Sequence, residues 1–482
     1  LPERVPSVDL PSHARLLALM VDYPEPQRDA LGVEANPLAP YWLFHATAIP
    51  LTAFVDPYTA TRLTLALYLA LTPLAFGFWL SARGARPLHG AYSVLVVFGA
   101  MPAWGFVGLV AGLPVLAVWL GIAERLATFP RPREAVALAL GFLVLYYAHA
   151  FVWLAGVVAL CFVLVHRDVP RRLLVIPALG ALVSAGLLLA YRLTFQSTPY
   201  MEALDAQVTS PLEPSLARAA SVVTDSAAYG LTDLSAPFAY ATWGALVIQL
   251  GLSARERDAW THRELRYGLA AAGALLCCVL ASPRAYFLPL RFSVLATVFS
   301  IATLPIVSSR ASRLALTLGC VFAFASSAVT AVSGYDFSRR TECVATVIDE
   351  MRDPGRTLTL VGRSPPEGYA QPVLDHVGLL VAARRGGVPF HETFHTGAHP
   401  LRARDPARLP DRDTMLLHAL PMLYTPNRAR DYDTILTIPI QDPAAMLGDE
   451  LDAFDAMSCD NVLLLQRAPR PAHDLPPAPV VP

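Results

Sequence analysis

A chain of 482 residues that is 55% hydrophobic and only 16% charged, with a mean hydropathy of +0.46, lies outside the range of water-soluble domains and inside that of membrane proteins. Its formal net charge of −1 excludes the strongly basic balance that nucleic-acid binding calls for, so no nucleic-acid partner is expected. The chain contains no lysine, so its basic side chains other than histidine are all arginines.

The first stretch, residues 1–62, is polar to amphipathic and carries the acids Glu3, Asp9, Asp22, Glu25, Asp29 and Glu34. It starts at Leu1 without an initiator methionine, which is the pattern expected if a signal or first membrane helix has been removed or lies upstream. Leu16, Leu17, Leu19 and Met20 fit a short helix lying on a surface rather than crossing a bilayer. Pro37 and Pro40 then break the chain, and Tyr41 and Trp42 suit a membrane interface.

Residues 63–333 read as a transmembrane helical domain of about ten spans, taking about 1.5 Å of rise per residue against a hydrocarbon core of roughly 30 Å. The apolar runs are Leu63 to Trp79, Tyr92 to Val110, Leu113 to Ile122, Ala135 to Tyr147, Phe151 to Val165, Leu173 to Leu193, Ala236 to Leu252, Tyr267 to Leu280, Leu288 to Val307 and Leu314 to Val332. Alternate connections carry the arginines: Arg83 and Arg86; Arg125, Arg131 and Arg133; Arg167, Arg171 and Arg172; Arg255, Arg257, Arg263 and Arg266; Arg310 and Arg313. Arginine collects in cytoplasmic loops, which places the Asp9 segment, the loop from Thr194 to Ser235 and everything after Gly334 on the other side of the membrane.

Residues 334–467 change character. A helix pattern at Val344, Val347, Ile348 and Met351, a strand from Thr357 to Val361, a helix from Val373 to Arg384 and strands at Thr434 to Ile440 and Val462 to Gln466 describe a small extracytoplasmic α/β domain. The tail 468–482 is proline-rich and expected to be disordered. Cys161, Cys277, Cys278 and Cys320 lie in apolar runs as small hydrophobes, whereas Cys343 and Cys459 fall in the outer domain, where the compartment permits a disulfide between them.

Few polar groups carry candidate chemistry. Asp9 and His13 stand four residues apart, on one helix face, where a carboxylate and an imidazole can act as a base or as ligands for a divalent ion such as Mg²⁺ or Mn²⁺. The alternative is that Asp9 or Ser12 caps the helix with Pro11 in its first turn, as Asp56 and Pro57 do best for the helix that follows them. His149 sits where two short spans meet, as a site candidate or as an interfacial residue among aromatics. Arg284, Tyr286 and Arg291 surround the connection from Ser282 to Leu290, where they either bind an anion or snorkel to headgroups. His391, Glu392 and His395 fit the H-E-x-x-H zinc pattern, with His399 close behind. Pro389 before and Gly397 and Pro400 after leave no long helix to align the imidazoles, so no metal is expected there and a loop facing the membrane domain is the preferred reading.

An acid followed by Pro and His in a first outer loop, an amphipathic helix, the Pro37-Leu38-Ala39-Pro40-Tyr41-Trp42 entry, a span series, Leu290-Arg291-Phe292 late in it and a terminal α/β domain together resemble the GT-C superfamily of integral-membrane glycosyltransferases. The resemblance implies transfer of a sugar from a polyprenyl-phosphate carrier in the lipid to an acceptor (glycan, lipid or protein) at the outer face of a bacterial cytoplasmic membrane. It implies that Asp9 activates the acceptor hydroxyl and that Arg291 holds the carrier phosphate. Three other readings remain: a non-catalytic scaffold of the same architecture whose outer domain binds a partner or envelope polymer; transport, or export of a lipid-linked glycan; and, last, a zinc protease at His391, Glu392 and His395.

Overall fold

The computed structural model describes residues 7–29, 31–164, 169–194, 215–227, 233–255, 262–281, 288–304, 309–361, 377–389, 400–404, 432–438 and 452–468. The first loop contributes α1 (Leu10–Met20), β1 (Val33–Ala35) and α2 (Trp42–Ala48). A helical bundle follows, made of α3 (Pro57–Ala82), a 3-10 segment (Pro87–Ser93) leading into α4 (Val94–Val97), α5 (Ala100–Trp104), α6 (Val107–Thr128), α7 (Pro132–Ala148), α8 (Ala150–Leu164) and α9 (Arg171–Thr194). It continues with α10 (Ala217–Ala227), α11 (Ala236–Ala254), α12 (His262–Leu280), α13 (Leu288–Ala302) and α14 (Arg310–Arg340).

Four of these helices, α3, α6, α9 and α14, are long and apolar enough to cross a membrane, and shorter apolar helices accompany them. Their outward faces are greasy: Val175, Leu179, Leu182 and Val183 of α9 and Leu314, Val321 and Phe324 of α14 are exposed, a surface that suits lipid and not water. α6 is buried almost throughout and forms the axis around which α3, α7 and α8 pack.

The runs Tyr92 to Val110 and Leu113 to Ile122 divide differently from the sequence expectation. Gly99 is extended and Gly105 is left-handed at φ +83°, so the chain from 87 to 104 is a broken ascent, and α6 starts afresh at Val107 as one unbroken helix. A hydropathy window cannot see a turn made by a single glycine.

The two ends of the bundle differ. At one end Arg83, the residue after α3, is buried and ion-paired to Glu264 of α12 at 2.9 Å, with Glu124 of α6 3.8 Å from its Nε. Tyr267 donates to Glu124 at 2.7 Å and lies under the guanidinium at 4.8 Å, and a second Arg83 nitrogen donates to the Ala302 carbonyl that ends α13. Four helices are tied by one cation. The opposite end carries Asp9 and the α/β domain.

That domain consists of α15 (Glu342–Glu350), β2 (Arg356–Val361), α16 (Val377–Arg385), β3 (Val388–Pro389), β4 (Leu401–Ala403), β5 (Thr434–Ile438), β6 (Phe454–Cys459) and β7 (Val462–Arg467). Its mixed sheet runs β3-β2-β5-β7-β6, with β2 parallel to β3 and β5 and the other pairs antiparallel. β5 and β7 are apolar and interior to the sheet, while β6 at the edge buries only Phe454. Residues 373–376, 439–440 and the tail from 469, which belong to expectations stated above, lie outside the described residues. Cys343 of α15 and Cys459 of β6 are joined in a disulfide, with Cα atoms 5.4 Å apart.

The first loop is woven into this domain. β1 pairs antiparallel with β4, Glu34 meets Arg402 at 2.8 Å and Asp29 meets Arg404 at 2.6 Å. α1, expected to lie on a surface, is instead buried nearly all round between α3 and α16. Arg15 of α1 is fully buried, and its guanidinium donates to the carbonyls of Ala382 (3.1 Å) and Gly387 (3.3 Å), one in the last turn of α16 and one just beyond it. A cation at a helix C-terminus completes orphan carbonyls and complements the dipole, which holds the α/β domain onto α1. A separate apolar groove of about 720 Å³ opens to the side between α3, α4 and α14, with Arg62 and Tyr335 toward its Asp9 end.

Candidate functional site

α1 opens at Asp9, whose carbonyl accepts from His13 N–H at 3.2 Å, and Pro11 supplies the preset φ of a first turn. The Asp9 side chain makes no capping hydrogen bond. Asp56 at the start of α3 shows the contrast: its carboxylate accepts from the amides of Tyr58 (3.0 Å) and Thr59 (3.1 Å), so that acid is a helix cap. Between Ser7 and Leu19 every residue is buried except Asp9 and His13. The i, i+4 spacing therefore puts a carboxylate and an imidazole on the one partly exposed face of this stretch.

The turn between α5 and α6 supports that face. Ser7 Oγ donates to Pro102 O (2.7 Å), Val8 N–H to Ala103 O (2.9 Å) and Asp9 N–H to Trp104 O (3.1 Å). Gly105 is left-handed and so close to Asp9 that a Cβ built on it would lie 2.7 Å from both the Asp9 Cβ and its amide nitrogen. The next residue, Phe106, presents its ring to the Arg291 guanidinium, whose carbon lies 5.3 Å from the ring centroid. Asp9 and Arg291 are thus brought onto one three-residue turn, Trp104-Gly105-Phe106.

Arg291 is in the first turn of α13, and its Nε is buried with no hydrogen-bond partner among the described residues. Its positive charge acts on both Tyr41 and His149, whose rings meet edge to face with centroids 5.0 Å apart. Burial pushes the Tyr41 phenol up from its ordinary range and Arg291 pulls it partly back. Tyr41 is set by its neighbours: Trp42 Nε1 donates to Asn36 O at 2.7 Å, and the Tyr146 hydroxyl donates to Leu38 O.

His149 ends α7 in an extended conformation, and its Nδ1 accepts from the Phe151 amide at 3.1 Å, so the ring caps α8. In that tautomer the neutral ring carries its proton on Nε2. Cβ atoms built on Gly108 would meet Ala148 O at 3.0 Å, Tyr41 at 3.4 Å and His149 at 3.6 Å; that residue has to stay small for the three elements to converge.

Two residues of the site carry little sequence signal. His45 of α2 is buried, its Nε2 is 3.3 Å from His13 Nδ1, and its own Nδ1 is 3.3 Å from the Tyr41 carbonyl oxygen. Burial holds its imidazole down at about 4, partly offset by the hydrogen bond to Tyr41. Its sequence context, Trp42-Leu-Phe-His45, reads as an interfacial helix with one polar residue. Gly105 lies inside an apolar run, and its isolation there was the available clue.

Arg284 and Tyr286, and the His391, Glu392, His395 and His399 group, lie outside the described residues. The other first-loop acids near α1 are engaged: Asp22 accepts from Arg28 Nε at 2.9 Å, and Glu34 is held by Arg402. Among the described residues no group of three or more His, Cys, Asp or Glu side chains is arranged to hold a metal ion, and Asp9 and His13 gain no third ligand.

No family model matches the chain, and no curated protein matches it. Among solved structures it superimposes on ArnT from Cupriavidus metallidurans bound to undecaprenyl phosphate with a TM-score of 0.54 and 12% identity, covering 96% of this chain and 94% of that one. The apo form of the same protein gives 0.53 and 12% over 98% and 95%. The chain shares the fold of that protein. At this identity the likeness is one of architecture, and it runs through bundle and α/β domain alike.

Proposed function

We propose that this protein is a GT-C-type membrane glycosyltransferase that takes a sugar from a polyprenyl-phosphate carrier. The observation that carries the reading is the shared turn: Arg291, whose buried Nε has no hydrogen-bond partner among the described residues, on one side of Gly105-Phe106 and Asp9 at the start of α1 on the other. ArnT, the structure it resembles, is bound to undecaprenyl phosphate, which supports a lipid phosphate as the ligand.

In this reading Arg291 receives the phosphate. A guanidinium offers parallel donors that match phosphate oxygens, and at a water-poor site it stabilises the charge that develops as the leaving group departs. The bond between the anomeric carbon and the phosphate oxygen breaks, and its electron pair goes to the carrier phosphate. A bond from the acceptor hydroxyl oxygen to the anomeric carbon forms, and the hydroxyl proton passes to the Asp9 carboxylate. The ring of Phe106 backs the Arg291 guanidinium, and Tyr41 and His149 supply a phenol and an imidazole N–H beside the phosphate site. The arginine-rich connections face the cytoplasm of a bacterial cell, so the site and the α/β domain lie on the outer face of the cytoplasmic membrane.

The test is turnover of a polyprenyl-phosphate sugar by the protein in nanodiscs. Asp9→Asn keeps the shape and removes the base, so transfer drops by about 10²–10⁴ while insertion and thermal unfolding stay as in wild type. Undiminished transfer by that variant removes the reading.

A further inference from the structure

Two donors beside Tyr41 lack acceptors. His149 is only 4% exposed, and the Phe151 amide donates to its Nδ1 at 3.1 Å. An amide N–H only donates, so Nδ1 holds a lone pair and the proton of the ring is on Nε2. That Nε2 has no hydrogen-bond partner among the described residues. Arg291 likewise makes no hydrogen bond or ion pair among them, and Phe106 meets it only through the face of a ring. Phe151 and Phe292 pack edge to face with centroids 5.1 Å apart, which joins the N-terminal turns of α8 and α13. The positive ends of two helix dipoles therefore accompany the guanidinium and the imidazole N–H.

A second proton on His149 would have to sit on Nδ1, against the Phe151 N–H and under the charge of Arg291. The elements around the ring do not draw it in. Tyr41, Tyr146 and Tyr147 are phenols, His45 of α2 is turned to the Tyr41 carbonyl, and α9 brings Tyr191 with the cation Arg192 next to it. α6 contributes Gly108, and no carboxylate acts on the ring among the described residues.

We infer that His149 is a fixed neutral donor to the carrier phosphate and not its acid, so that the site holds the released carrier, a phosphate monoester, more tightly than the sugar-loaded diester. Resting on the glycosyltransferase reading for the identity of the anion, this settles the fate of the leaving group. The bond from anomeric carbon to phosphate oxygen breaks, its electron pair stays on that oxygen, and no proton follows from His149. The loaded carrier brings one negative charge, and the released one brings two above its second pKa of about 6. Donors that keep one state gain most from the ligand with more charge, so the same contacts stabilise the transition state and retain the product. A separate reaction that consumes the free phosphate monoester has to clear the site for turnover to continue.

The test is binding of radiolabelled polyprenyl phosphate, and of its methyl diester, to the full-length protein in nanodiscs between pH 5.5 and 7.5. A neutral His149 gives a diester affinity that is flat with pH and a monoester affinity that rises about 3–4-fold, following the second ionisation of the phosphate. At pH 7.5 the monoester should bind at least ~10-fold more tightly than the diester. An imidazolium ligand titrating near 6.5 would instead make the diester affinity fall as pH rises. His149→Gln keeps a neutral N–H and should retain both affinities within about threefold, whereas His149→Phe should lower both about 10-fold. Both variants remove the imidazole that caps α8, so the difference between them reads the Nε2–H. A diester affinity that falls with rising pH overturns the inference, as does a diester bound as tightly as the monoester at pH 7.5, or equal affinities in the two variants. Failure of the transferase reading shows separately, as undiminished transfer by Asp9→Asn with these binding curves intact.

Discussion

Replacing Gly105 with alanine tests the turn on which the site rests. The residue sits at φ +83°, where an L side chain costs about 1–2 kcal/mol. The new methyl would also lie 2.7 Å from the Asp9 nitrogen and Cβ and 2.9 Å from its Cα, and backbone contacts of that kind cannot be relieved by a rotamer change. The N-terminus of α1 has to move away, which breaks the hydrogen bonds of Val8 to Ala103 and Asp9 to Trp104, each worth about 0.5–1.5 kcal/mol. The sum is a loss of roughly 2–5 kcal/mol, taking both terms together. Because the methyl displaces Asp9 by a sizeable fraction of an ångström to an ångström, transfer should fall by about 100-fold. Gly244 in α11 has nothing within 4 Å of its built Cβ, so Gly244→Ala is the control and should leave turnover unchanged without lowering the unfolding temperature. The assay is turnover of the lipid-linked sugar alongside thermal unfolding in the same nanodiscs. Wild-type turnover in Gly105→Ala would show that Asp9 is not held where its chemistry depends on this turn.

Arg291→Ala should weaken binding of radiolabelled polyprenyl phosphate by about 10–100-fold, and Arg291→Lys should recover only part of it, because an ammonium lacks the planar fork; equal binding by all three proteins would place the phosphate elsewhere. Arg83→Ala removes the cation that lies against the buried Glu124 and Glu264 and should cost about 3–5 kcal/mol in unfolding, much of it restored when Glu124→Gln and Glu264→Gln are added. A triple variant as unstable as the single would contradict that account. The low value of His45, about 4 against an ordinary 6.5, means that the unfolded chain takes up a proton there before the folded one does. Stability from this group is full above about pH 6.5 and is lost as pH falls toward 4, with about 2 kcal/mol gone by pH 5. Thermal unfolding of the wild type should therefore fall faster between pH 7 and 5 than that of His45→Gln, and parallel curves would refute it.

The parts of this protein visible in its sequence are those set by local pattern. Long apolar runs such as 173–193 become α9, β-branched and leucine-rich segments such as Thr357 to Val361 become central strands, and Asp56-Pro57 caps its helix through its own side chain. The candidate site was legible as isolated polar residues, Asp9, His13, His149 and Arg291, each in a setting where a polar group is costly. What brings them together was not. The Asp9 to Trp104 and Arg291 to Phe106 contacts join segments far apart in the chain, and periodicity carries no information about such pairs. Arg83 reads from sequence as one more loop arginine of the alternating series, yet two glutamates on distant helices bury it. β1 and β4 pair from opposite ends of the chain, and β6, Phe454-Asp-Ala-Met-Ser-Cys459, is too polar to stand out as a strand until β7 is beside it.

The most direct measurement is a density map of the protein in nanodiscs loaded with polyprenyl phosphate. The account predicts the phosphate within hydrogen-bonding distance of the Arg291 guanidinium, beside Phe106 and on the side of the Gly105 turn that opens to Asp9. Phosphate density in the lateral groove by Arg62, with Arg291 left empty, would contradict it.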